Sequence, residues 1–355
     1  MKVLYDYQGF LQRYGGVSRY FVELIAAMSR VGGYEALLPE FFTDNEYLKR
    51  KRRFLTDRPF KGKARIMADL DRLISSRSLS RPFDLFHPTY FNPYFLGKLS
   101  APFVVTVHDM IHELFDDHQV RDDGTRANTR LLCDRAAHVI AVSRNTKNDL
   151  CRLLGLPEEK VSVVYHATAL RYDGQSSIHE RPYLLYVGER GGYKNFSFFV
   201  SSVARLLLKE DLDLVCAGGG AFSSQERQLL SDLGIGDRVS QRGIADQGLL
   251  ASLYHHALAF CYPSLYEGFG IPLLEAFSCG CPVAASSSSC FPEIAGGAAE
   301  YFDPRNSESI VYAVERAALH RREELARLGS EQVSLYSWDR SAAATLDVYR
   351  SVLGI

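Results

Sequence analysis

Short apolar runs alternate with amphipathic helical stretches along the whole chain, and the alternation starts afresh near its middle. That pattern restricts the fold to α/β with mostly parallel strands. In the first half the expected strands are 2–5, 85–87, 103–108, 138–142 and 161–165, with helices over 17–29, 128–136 and 143–154. The second half repeats the order: strands 183–188, 212–217, 239–241 and 257–261 alternate with helices 196–208, 225–233 and 248–256. Polar residues 167–181, containing Asp173-Gly174-Gln175-Ser176-Ser177, read as the linker. At 355 residues the chain is long enough for two separate cores. Each half is expected to form a doubly wound sheet that binds ligands at the carboxyl ends of its strands, with a cleft where the two face each other.

Composition narrows the function. With 46% hydrophobic and 23% charged residues and a net charge of −1, the chain reads as an ordinary soluble protein with no nucleic-acid partner. The start, Met1-Lys2-Val3-Leu4-Tyr5-Asp6, meets an acid early and lacks an apolar core, so no signal peptide is expected. No apolar run approaches the roughly 20 residues that cross a bilayer. Seven scattered cysteines, an odd number, point to reduced thiols and a cytoplasmic location. Cys279-Gly280-Cys281 has no second pair at zinc spacing, and small buried hydrophobes account for it better than a metal site.

The chemistry concentrates in Pro263–Ala276. Glu267 and Glu275 stand eight positions apart around the turn Gly268-Phe269-Gly270, and Pro272 suits the first position of the helix that follows. Free amides at such a helix start attract phosphate, and glycine lets the phosphate come close. The two carboxylates would repel a phosphate, but each can accept hydrogen bonds from vicinal sugar hydroxyls. The stretch therefore suits a ligand with phosphates in its middle and a sugar at each end. Arg190 and Lys194, in Gly188-Glu189-Arg190-Gly191-Gly192-Tyr193-Lys194-Asn195, supply the cations a phosphate leaving group needs. In the first half, Gly15 and Gly16 open a helix after the first strand, in a pattern other than G-x-G-x-x-G, so no dinucleotide cofactor is indicated. His108 and Asp109 end an apolar strand, where doubly wound folds put function. Pro-rich residues 84–93 fit either a sugar acceptor or loop packing, and Ser143 reads as a helix cap.

Residues 262–303, continuing through Gly280-Cys281-Pro282-Val283-Ala284 and Pro292-Glu293 to Tyr301-Phe302-Asp303, resemble the signature region of retaining, nucleotide-sugar-dependent glycosyltransferases of family 4. The likeness extends to both ends of the chain. It implies the GT-B fold, with Rossmann-like domains at 1–170 (acceptor) and 180–338 (donor) and a last helix, 340–355, packed back on the first domain with Trp338 as its anchor. It further implies that Glu267 faces the transferred sugar and Glu275 holds the ribose. Gly268, Phe269 and Gly270 would support sugar and phosphate through their amides. Arg190 and Lys194 would stabilise the departing diphosphate, Gly15 and Gly16 would approach the donor, and His108 would lie beside the sugar with Asp109 orienting its ring. No cofactor and no metal are expected, since no Asp-x-Asp pair accompanies the donor motifs. Attack would be front-face, without a covalent nucleophile.

The pattern looks closest to bacterial mannosyl- or rhamnosyltransferases of surface-polysaccharide assembly, such as O-antigen. GDP-mannose is the first donor reading and a UDP-sugar the second, with a glycan or polyprenyl-linked glycan as acceptor. A sugar-nucleotide epimerase and a noncatalytic saccharide-binding protein are the rivals from other classes. Residues 49–81 hold twelve Lys or Arg against three Asp, which fits either a basic surface for the inner face of the plasma membrane or a solvated loop.

Overall fold

In a computed structural model, described for residues 1–13, 15–48, 62–115 and 124–355, the chain divides into two compact units. The first comprises Met1–Glu113, Asp122–His166 and Trp338–Ile355, and the second Leu114–Arg121 and Ala167–Ser337.

The first unit runs β1 (Lys2–Tyr5), α1 (Gly16–Met28), β2 (Glu35–Leu37), α2 (Lys63–Ser78), β3 (Leu85–His87), β4 (Val104–Val107), α3 (Ile111–Leu114), α4 (Thr125–Arg135), β5 (His138–Ala141), α5 (Arg144–Leu154) and β6 (Val161–Val163). All its strand pairs are parallel. The orders β2-β1-β3 and β4-β5-β6 are joined by a bridge from Phe86 to Phe103, so the sheet changes direction of growth between β1 and β3. Helix α1 covers it with Tyr20, Phe21, Leu24 and Met28, which recur at helical spacing and are buried with Val3 and Tyr5. Burying each such side chain contributes about 1.5–3 kcal/mol. The C-terminal helix, Trp338–Leu353, lays Ala342, Leu346 and Tyr349 into the same core. It starts two residues before the expected Arg340, and Trp338 packs near Tyr20 and His166, with ring centroids 6.2 and 6.3 Å away.

The second unit runs β7 (Tyr183–Val187), α6 (Phe196–Lys209), β8 (Asp213–Ala217), α7 (Ser224–Asp232), β9 (Val239–Arg242), α8 (Gln247–His256), β10 (Ala259–Tyr262), α9 (Ile271–Ser278), β11 (Val283–Ser286), α10 (Phe291–Ala295), β12 (Ala299–Phe302), α11 (Ser307–Glu315) and α12 (Arg322–Val333). Its six parallel strands are ordered β12-β11-β10-β7-β8-β9, with the switch between β7 and β10. Phe196, Phe199, Val200 and Val203 of α6 pack with Leu184, Leu214 and Val314 as its core.

Three elements differ from expectation. Residues 167–181 are no free linker: Ala167 and Leu170 are buried, and the Tyr172 ring stacks on His255 at 3.7 Å. Strand β2 escaped notice because it is three residues long and partly exposed. Of the basic segment 49–81, residues 49–61 lie outside the described residues, and the rest is largely α2. That helix buries Met67, Asp71, Ser75 and Ser78 and exposes Ile66 and Leu73. Among the described residues no helix is long and apolar enough to cross a membrane.

Candidate active site

In the second unit the site residues stand on the loops that follow β7 and β10, the two strands flanking the switch point. The loop after β7 tightens into a turn at Gly192–Lys194 and ends on Asn195, which takes a left-handed conformation (φ 60°). The Asn195 carboxamide donates to the carbonyls of Pro263 (3.2 Å) and Pro304 (2.8 Å), and the Leu265 amide donates to the Tyr193 carbonyl at 2.8 Å. These bonds bind the two loops together. Asn195 was not singled out in the sequence; its place directly after Lys194 was the only cue.

As a result Lys194 Nζ and Glu267 Oε1 meet at 2.6 Å, although 73 positions separate them. Ser264, fully buried, donates its hydroxyl to the same carboxylate oxygen at 2.7 Å, and the Glu267 amide donates to Ser289 Oγ at 3.1 Å. Burial, and after it the charge of Glu267, pushes the Tyr262 phenol well above its ordinary value. A buried carboxylate is tolerable only with such partners. Gly270 (φ 84°) turns the chain into α9, and Pro272 stands second in that helix, one place after the expected first position. Gly268 and Phe269 lead into that turn, with Phe269 buried against Tyr336. Glu275 lies further along α9, buried, and accepts from the Tyr254 hydroxyl at 3.3 Å. Cys279 and Cys281 are buried free thiols.

Arg190 is engaged elsewhere. Its Nε donates to Glu226 at 2.6 Å, and its Nη atoms donate to the carbonyls of Gly218, Gly219, Gly220 and Ala221. Its side chain is 4% exposed. The three glycines all take positive φ (81°, 66° and 69°), a run that only glycine adopts without strain. At Gly219 a Cβ would stand 2.6 Å from the Gly188 carbonyl. Glu226 also closes the capping box with Ser223 at the start of α7. Burial raises its carboxyl, and the bonds from Arg190 and Ser223 outweigh this and hold it below the usual range. Arg190 therefore shapes the wall after β8, while Lys194 is the cation that meets Glu267. Sequence reading missed Gly218–Gly220 and Glu226, whose only mark was a glycine run after a strand.

In the first unit, Gly15 caps α1 in extended conformation and Gly16 begins the helix, with open space where a Cβ would point. His108 follows β4 and lies edge-on to Tyr20 (5.0 Å) and parallel to His166 (5.7 Å). Its Nε2 is buried without a partner among the described residues. Burial lowers its pKa to about 4, so the ring is neutral near pH 7. Asp109 accepts from the Ile111 amide at 3.0 Å, starting α3. Behind His108 runs a buried hydrogen-bonded chain. Tyr5 bonds Tyr349 (3.1 Å), Tyr349 bonds His87 Nδ1 (2.6 Å), His87 Nε2 bonds Thr106 (3.0 Å), and Thr106 bonds Tyr20 (3.2 Å). Ser143 caps α5 as expected.

Known proteins agree with this architecture. Residues 14–172 match the family described as Glycosyltransferase Family 4, and residues 171–332 match Glycosyl transferases group 1. An uncharacterized glycosyltransferase of Methanocaldococcus jannaschii is 30% identical over 236 residues, 61% of this chain and 60% of that one. The O-antigen chain mannosyltransferase RfbU of Salmonella typhimurium is 29% identical over 205 residues, 58% of each. The chain thus spans about 60% of the length of these two relatives in the matched parts. Among solved structures, sucrose-phosphate synthase of Thermosynechococcus elongatus superposes with a TM-score of 0.79 at 19% identity, covering 99% of both chains, a likeness of fold alone. With two Rossmann-like domains, each marked by its own signature, the chain belongs to the family 4 glycosyltransferases of GT-B fold.

Proposed function

We propose that this protein transfers a hexose, mannose from GDP-mannose, to a hydroxyl of a glycan or lipid-linked glycan in polysaccharide assembly, with retention at the anomeric carbon. The observation that carries the reading is the Lys194–Glu267 pair at the switch point of the second sheet. An ammonium held on a carboxylate at this point would suit a departing diphosphate beside a sugar as the glycosidic bond breaks. Lys194 would stabilise that departing charge, and Glu267 would accept from the hydroxyls of the sugar. The amides of Gly268, Phe269 and Gly270 at the start of α9 would support sugar and phosphate, and Glu275, steadied by Tyr254, would hold the ribose. Arg190 would contribute by keeping the 218–221 turn in shape beside the donor. Gly15 and Gly16 we assign to the donor, and His108, neutral, to the transferred sugar. No carboxylate is assigned as a nucleophile, and no cofactor or metal is given a role. The likeness to an O-antigen mannosyltransferase favours mannose.

We further assign the exposed Arg65, Ile66, Arg72 and Leu73 of α2 to the surface of an anionic membrane. Binding to anionic liposomes at low salt tests this; protein that ignores them contradicts it. The function is tested by screening GDP- and UDP-sugars for binding, then for turnover with lipid-linked acceptors. Transfer from GDP-mannose supports the reading. Free altered sugar without acceptor would identify an epimerase, and binding without turnover a saccharide-binding protein.

A further inference from the structure

Three neighbouring strands of the second sheet, β7, β10 and β11, run parallel, so their carboxyl ends open on the same end of the sheet. The loops leaving them carry Lys194, Glu267 and the run Ser286-Ser287-Ser288-Ser289. A serine run reads as an ordinary turn, because hydroxyls bond readily to nearby backbone. This one is firmly built. Ser286, fully buried at the end of β11, accepts from the Ser288 amide at 3.1 Å, and the Ser287 amide donates to the Phe302 carbonyl at 2.8 Å. The turn carries Ser289 to the Glu267 amide, which donates to its Oγ at 3.1 Å.

Ser289 makes that contact from a left-handed conformation, with φ 49°. The other non-glycine residues with positive φ among the described residues are Asn195 and Asp211, types that reach this region far more readily than serine. Glycine would take the same φ freely but could not bond the Glu267 amide. The strained backbone at Ser289 is therefore tied to a contact that only a side chain can make.

The other end of Glu267 is held as well. Ser264, fully buried, donates to Oε1 at 2.7 Å, and the same oxygen accepts from Lys194 at 2.6 Å. A lysine ammonium is a compact point charge on a flexible stem and does little to fix the plane of a carboxylate. A second donor from a buried, short side chain does fix it. Glu267 is thus gripped at its backbone from the loop after β11 and at its carboxylate from the loop after β10, in both cases by a neutral hydroxyl.

We infer that Ser264 and Ser289 are positioning residues, a brace that sets Glu267 in one orientation before a donor arrives, so that its carboxylate meets the sugar hydroxyls without reorganising. Transition-state stabilisation depends on partners placed in advance, and small misplacements lower the rate steeply. The inference rests on the transferase reading, and two readouts separate them.

The first is transfer kinetics. Ser264→Ala and Ser289→Gly should each lower kcat about tenfold while donor KM moves less than about twofold. Ser289→Gly is the sharper variant, because it removes the hydroxyl and relieves the backbone together. Combined with Glu267→Ala, either change should cost less than about twofold more, since no carboxylate remains to position. A merely structural serine would cost the same in both backgrounds. Ser287→Ala, exposed in the same run, should leave kcat unchanged. The second readout needs no turnover. In the intact protein, isotope-labelled at lysine, an ammonium held on a fixed carboxylate gives a slowly exchanging Lys194 Nζ proton signal by NMR. Ser264→Ala and Ser289→Gly should broaden it, and Glu267→Ala should erase it. Serine variants that transfer at full kcat, or that cost as much beside Glu267→Ala as alone, overturn the inference and leave the transferase reading standing. A Lys194 signal indifferent to both serines overturns it too. Loss of that signal in both variants of a protein that transfers nothing from any nucleotide-sugar keeps the brace and rejects the transferase reading.

Discussion

The two units share one strand logic but prepare their switch points in opposite ways. In the second, charged groups are paired: Lys194 with Glu267, and Arg190 with Glu226. In the first, the described residues that line the same position are carboxamides and aromatic rings, backed by histidines that burial keeps uncharged. The contrast follows from what each would handle. A diphosphate leaving group needs cations kept in place by carboxylates, whereas an uncharged ligand needs only directional hydrogen-bonding partners.

The largest effect expected from breaking this contrast is structural. Arg190→Met would leave Glu226 with only the Ser223 amide and the carbonyls of 218–221 without the Arg190 donor, at a cost of about 3–5 kcal/mol, readable by urea denaturation. Lys194→Met should cost clearly less, because it affects one carboxylate that keeps the Ser264 hydroxyl, whereas Arg190 also serves four backbone carbonyls. Equal losses would erase the distinction drawn between the two cations. Next in size, Glu267→Ala should lower transfer about 10²-fold, measured as mannose transfer from GDP-mannose. In the first unit, Tyr349→Phe removes the hydroxyl that bonds both Tyr5 and His87 Nδ1. A loss of about 1–3 kcal/mol in stability is expected.

The smallest effect is on pH. Burial lowers His87 to about 3 and His108 to about 4, and moves His166 the same way. These groups bind protons in the unfolded chain from about pH 6.5 downward but not in the folded one. Their contribution to stability is therefore present above pH 6.5 and lost as pH falls toward 4. Asp6, whose carboxyl burial pushes up, acts in the opposite sense. Denaturation midpoints between pH 7 and 5 should fall with pH, and His87→Gln should flatten the slope.

Much of the second unit was legible because its cues are local. Gly270 and Pro272 announce the entry to α9, and Glu267 and Lys194 sit in motifs that share one ligand chemistry. Arg190 was legible as a cation but not in its partner. Glu226 lies 36 positions on and reads as an ordinary helix-start acid. The first unit was less readable, since its site depends on distant pairings. Asp6 meets Thr89 across 83 positions, and Tyr349 meets His87 across 262. Helix α2 hid because its buried face carries Asp71, Ser75 and Ser78, which blurs the apolar period.

If the Lys194–Glu267 pair is the donor end of a glycosyltransferase site, Lys194 must matter for turnover. The decisive measurement is mannose transfer from GDP-mannose to a lipid-linked glycan by the unaltered protein and by Lys194→Ala. Robust transfer by the first and a loss of about 10²–10³-fold in the second are expected. Full activity in Lys194→Ala would contradict that assignment.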